Sequence, residues 1–167
     1  MLPETIQLET LRQKIEDSEY EAGDKTDYLS YGKPNAAQAK QAKELIERLN
    51  QESKSARAEL KQLLTTLRAQ HPQAVEEWVE YHLGILQVIV NEKTEAVITP
   101  RKNVAKETIQ NWEKVRAGEI EYVNINWHFL KDYKASVRTI TNHTDPKEAG
   151  QSTSNNKSAK SWWPFGK

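Results

Sequence analysis

The sequence predicts an all-α fold, an elongated helical hairpin or bundle with one coiled-coil-like long helix and a disordered C-terminal tail. Three observations carry that expectation. Apolar and small residues from Ala39 to Leu67 recur at alternating steps of three and four, the spacing of a helix that keeps one face against a partner. Pro72 ends that pattern, and a second helical stripe begins straight after it. The 167 residues contain only six glycines and six prolines, too few for a turn-dense β fold.

Residues 1–35 are expected to form a short N-terminal helix and a linker. Leu8, Leu11 and Ile15 share a face over residues 4–20; Gly23 and Asp24 then end the helix, and residues 28–35 link it to the next. Residues 36–144 form the helical domain. Asn35 caps its first helix with Gln38 as capping-box partner. The association seam then runs through Ala39, Ala42, Ile46, Leu49, Ser53, Ala56, Leu60, Leu63 and Leu67. Two occupants suit it: another helix of the same chain in an antiparallel bundle, or a second chain. Ser53 and Ala56 leave its middle small, so either the helices approach closely there or a large side chain fills the gap.

Val75, Val79, His82, Leu86, Ile89 and Ala96 make the stripe after Pro72, which implies an αα-hairpin. Residues 84–99 are rich in β-branched side chains, and a β-hairpin turning near Asn91–Thr94 is the competing reading there. A third helix, from an Asn103 cap after Pro100 to Ala117, turns Val104, Thr108, Ile109, Trp112 and Val115 inward and stops at Gly118. Beyond it, Ile120, Val123, Trp127, Leu130 and Val137, flanked by Tyr122, Phe129, Tyr133 and Ile140, predict a broad-faced and deeply buried helix, with a strand over 119–127 as its rival.

Residues 145–167 are a flexible tether with an aromatic end. The stretch before the aromatics has almost no apolar content and cannot offset the entropy of ordering. The last residues hold Trp162, Trp163 and Phe165 among Lys157, Lys160 and Lys167. Three destinations suit them: a partner's pocket, an anionic membrane surface, or a groove on the chain's own helices. Burial of one ring contributes roughly 1.5–3 kcal/mol, and ordering each tail residue costs about 1–2 kcal/mol. A single copy is therefore a weak, reversible hook.

Net charge is zero, which argues against a nucleic-acid partner. The distribution is uneven: acids dominate from Glu4 to Asp27, lysines from Pro146 to Lys167, so the two ends are expected to attract. With no cysteine there is no disulfide, thiolate metal site or cysteine nucleophile. No phosphate loop, nucleophile elbow or helical zinc motif occurs, and no catalytic, cofactor-binding or metal-binding residue is assigned. His82, on an apolar stripe, reads as a satisfied core histidine; His128 and Asp132 are spaced to pair on a helix surface. The N-terminus lacks a secretory pattern, so a cytoplasmic location, or one at the membrane periphery, is expected. These features suggest a non-catalytic adaptor or scaffold that works through helix–helix association with itself or a protein partner and through the aromatic-basic tail. A peripheral membrane protein anchored by the same tail is the alternative.

Overall fold

The computed structural model describes residues 1–93 and 99–142. The protein is all-α, with helices α1 (Pro3–Tyr31), α2 (Ala36–Gln70), α3 (Pro72–Asn91), α4 (Thr99–Arg116) and α5 (Lys131–Asn142). No strand occurs among the described residues.

α1 and α2 form an antiparallel hairpin, and α2, at 35 residues, is about 50 Å long. Asn35 Oδ1 accepts from the Gln38 N–H at 2.8 Å and Gln38 Oε1 accepts from the Asn35 N–H at 3.1 Å, which completes the expected capping box. α1, however, does not stop at Gly23. It runs to Tyr31, so the expected linker shrinks to residues 32–35. Gly23 lies exposed with open space where a β-carbon would sit, and pairing with α2 offsets the ~1 kcal/mol that an interior glycine costs.

Leu49, Ala56, Leu60 and Leu67 of the α2 seam are buried within the chain, while Ile46 and Leu63 are half-buried. Leu64 rather than Leu63 is fully buried, a shift toward the 3.6-residue period of a straight helix. Ser53 donates to Glu19 of α1 at 2.8 Å, which sets the level at which the helices meet. Buried Ser18 and Ala22 flank Glu19. The small middle of the seam is thus buried at the level where Glu19 of α1 reaches Ser53.

Pro72 opens α3 and Trp78, Val79, His82, Leu86 and Ile89 point inward, as expected. The helix holds through Asn91, so the first strand of the rival β-hairpin does not form; Ala96 lies outside the described residues. Pro100 does not precede α4 but sits in its first turn, where a missing N–H costs nothing. Gly118, with φ of +79°, ends α4. The Gly118 N–H donates to Val115 O at 3.0 Å and the Glu119 N–H to Lys114 O at 2.9 Å, the paired bonds of a Schellman stop.

The largest correction concerns residues 119–130. They form neither the predicted helix nor a strand, and helix resumes only at Lys131. Burial alternates here: Val123 and Ile125 are buried, Asn124 and Asn126 exposed. Trp127 and Phe129, expected inside, are 43% and 37% exposed.

α3 is the centre of the fold, touching every other helix. The main core draws Leu8, Leu11 and Ile15 from α1 and only Ala56 onward from α2. Residues 20–31 and 36–52 add nothing to that core, so the distal half of the hairpin is an arm of two paired helices with its own thin seam of Ala22, Ala42 and Leu49.

Candidate functional site

The polar groups of α1 converge on the core. Glu9, Arg12 and His82 are each 0% exposed. Glu9 Oε1 accepts from Arg12 Nε at 2.9 Å and Gln13 Nε2 at 3.1 Å, and Oε2 accepts from Trp78 Nε1 at 2.8 Å. His82 Nε2 lies 2.7 Å from the same Oε2, and His82 Nδ1 lies 2.5 Å from Tyr133 Oη. Trp112 Nε1 donates to Tyr133 Oη at 3.0 Å. One proton arrangement satisfies all of these groups. Trp112 donates to Tyr133, Tyr133 O–H donates to Nδ1 of a neutral His82, and His82 Nε2–H donates to the Glu9 carboxylate. His82 also stacks on Trp112, ring centroids 3.8 Å apart.

The electrostatics agree with that arrangement. Burial would raise the Glu9 carboxyl, but Arg12, His82 and their hydrogen bonds outweigh it and lower it to about 2. Burial lowers His82 despite the opposing pull of Glu9. Burial pushes the Tyr133 hydroxyl well above its ordinary value. An acid, a base and an orienting hydroxyl are thus in hydrogen-bond contact, yet Glu9, His82 and Tyr133 are all sealed from solvent. The chain of bonds ties together α1, α3, α4 and α5, each of which supplies one of its groups.

Arg12 and Glu16 also hold the connector after α4. Arg12 Nη1 donates to Val123 O at 3.3 Å, and the Ile125 N–H donates to Glu16 Oε1 at 3.3 Å. α1 side chains therefore stand in for a neighbouring strand along one edge of residues 123–125.

Above Glu16 the surface opens into a cleft of about 350 Å³ lined by Glu19, Tyr20, Asn124, Asn126, Trp127 and Lys134. Tyr20 (50% exposed) and Trp127 meet edge to face with centroids 6.3 Å apart. Lys134 Nζ lies 5.6 Å from the Tyr20 centroid and 3.7 Å from Glu16 Oε1, and Glu19 pairs with Arg57 at 2.6 Å. The aromatic walls are open, whereas the charges among them are already matched.

The sequence-predicted tail residues, Trp162, Trp163, Phe165, Lys157, Lys160 and Lys167, lie outside the described residues. The expected helical pair of His128 and Asp132 does not form, because His128 falls before α5; Asp132 meets Arg101 at 3.4 Å instead. Glu9, Arg12, Glu16 and the Tyr20–Trp127 cleft escaped sequence reasoning. The available signal was spacing: Thr5, Leu8, Arg12 and Ile15 follow steps of three, four and three, with an arginine at an inward position. Comparison with protein-family models, curated proteins and solved structures finds no match to the chain.

Proposed function

We propose that the chain is a non-catalytic adaptor or scaffold: a helical body that displays a two-helix arm and a tethered aromatic-basic segment to protein partners or to further copies of itself. The observation that carries this reading is the arm. Residues 20–31 and 36–52 take no part in the main core, although they form the whole distal half of the longest hairpin. Along it Tyr28 and Tyr31 are 37% and 83% exposed, and Leu45 and Ile46 are half-buried. Tyr28 lines one groove with Ala42 and Leu45, and an exposed tyrosine beside half-buried aliphatic surface suits a helix-to-helix interface. The closed hydrogen-bonding of Glu9, His82 and Tyr133 favours a structural over a chemical role for the acid–base groups. No described helix is long and apolar enough to cross a membrane.

The test compares full-length protein with a Tyr31→Ala/Ile46→Lys arm variant and with a chain cut after Gly150, by sedimentation and by pull-down. Self-assembly or capture of a defined partner that the arm variant loses, with its circular dichroism intact, supports the reading. A monomer whose captured proteins are the same for all three chains refutes it.

A further inference from the structure

We propose that the Tyr20–Trp127 cleft is a docking site for the chain's own C-terminal segment, residues 161–167, so that the aromatic end is held on the body until a competitor releases it. This goes beyond the scaffold reading and does not depend on it.

Four observations converge. The first is the pair of open rings. Tyr20 and Trp127 stand at an interplanar angle of 90° and form a corner that an indole, a phenyl ring or a proline ring can enter by edge-to-face or stacked contact. Residues 162–165 read Trp-Trp-Pro-Phe.

The second is backbone. Val123 O and Ile125 N–H are bonded by Arg12 and Glu16 on one edge of the connector. On the opposite edge, among the described residues, no protein group bonds the backbone N–H or C=O of Tyr122 or Asn124. An extended peptide can add there as a neighbouring strand.

The third is charge. Glu16 is 3% exposed and already faces Lys134, Arg12 and Arg138, while Glu19 is held by Arg57. The cleft offers no unmatched charge, so it selects by ring stacking and backbone bonding.

The fourth is reach. α5 lies against α1, with Lys134 beside Glu16 in the cleft and Thr141 donating to Gln13 at 3.0 Å. Asn142, the last described residue, lies eight residues beyond Lys134, about 12 Å along α5. A flexible chain of the ~18 residues between Asn142 and Ser161 would span roughly 20–25 Å root-mean-square. That places the aromatic segment at an effective concentration of about 1 mM, enough to half-occupy a site with a Kd of about 1 mM.

The absence of native cysteine makes the test direct. A nitroxide is attached to a Ser161→Cys variant of the full chain, and paramagnetic broadening is measured at the Asn124 and Asn126 amides and the Trp127 indole, with Tyr31 on the arm as reference. Docking gives broadening at the cleft several-fold above that at Tyr31. It persists from about 0.05 M to about 0.5 M salt, because it does not rest on charge. Trp162→Ala/Trp163→Ala in the labelled chain removes the excess without touching the body, and Tyr20→Ala removes it from the other side. Broadening no stronger at the cleft than at Tyr31 overturns the proposal. So does excess broadening that salt abolishes, which would mark nonspecific attraction of the lysines, or excess that survives both sets of substitutions.

Discussion

Replacing Glu9 with glutamine tests whether the buried chain of hydrogen bonds holds the fold. The Glu9 carboxyl is lowered from an ordinary 4.5 to about 2. A difference of that size corresponds to on the order of 3 kcal/mol of stability at neutral pH. Loss of the charge also leaves Arg12 buried with only Glu16, at 3.5 Å, as counter-ion, and breaking a buried pair from one side typically costs about 3–5 kcal/mol. The two routes agree, so Glu9→Gln should destabilise by about 3–5 kcal/mol in urea unfolding followed by circular dichroism at pH 7. Removing Arg12 as well, as Glu9→Gln/Arg12→Met, should recover part of the loss, because no unpaired charge stays behind. The pH profile supplies a second check. His82 is lowered in the folded state, so the unfolded chain takes up its proton first and stability falls as pH drops below about 6.5. Glu9 is also lowered, so its contribution is present above about 4.5 and is lost as pH falls toward 2. Glu9→Gln should abolish the lower of these two losses. A Glu9→Gln cost below ~1 kcal/mol, with the wild-type acid profile unchanged, would refute the assignment of Glu9 as the anchor of the core.

Further substitutions probe individual elements. Trp112→Ala, which empties a fully buried site and frees the Tyr133 hydroxyl, should cost about 3–5 kcal/mol. Trp127→Ala, at a 43% exposed ring, should cost under ~1 kcal/mol in the same unfolding assay, and equal costs would contradict the non-helical path of residues 119–130. Asn35→Ala removes the side-chain half of the capping box, the bond from the Gln38 N–H to Asn35 Oδ1, and should lower stability by about 1 kcal/mol, with faster amide exchange at the start of α2. Gly118→Ala should cost about 1–2 kcal/mol from backbone strain alone, since its new β-carbon would meet nothing closer than Arg68 Cζ at 3.8 Å; a neutral effect in thermal unfolding would argue against the left-handed stop.

The parts of this fold that were legible in the sequence were those governed by local rules. Asn35 and Gln38 announce a helix start, Pro72 a break, and Gly118 a left-handed stop, because each signal is satisfied within a few residues. The long α2 seam was equally plain. What local rules missed was tertiary compensation. Gly23 and Asp24 look like a terminus, yet α2 alongside carries α1 through to Tyr31. Ile120, Val123, Trp127 and Leu130 fit a helical stripe, but Gly118 redirects the chain, and Arg12 and Glu16 then supply backbone partners that make a non-helical path affordable. The candidate site was invisible for the same reason. Tyr20 and Trp127 are more than a hundred residues apart, and only the packing of the connector on α1 brings their rings together.

The acidic front of the chain changes meaning in the same way. Eight carboxylates between Glu4 and Asp27 look like a surface for the basic end. In the fold, Glu9 belongs to Arg12 and His82, and Glu16 to Arg12, Lys134 and Arg138. Asp17 pairs with Arg138 and Glu19 with Arg57. Asp24 lies 3.9 Å from Lys25, so five of the eight carboxylates are matched by cations of α1, α2 and α5, and of the rest Glu21 and Asp27 are exposed. At physiological salt exposed charges are screened within about 8 Å, which limits what the remaining carboxylates can attract. What α1 offers the rest of the chain is therefore the exposed ring of Tyr20, and the acids beside it serve to hold α5 and the connector in the positions that complete the cleft.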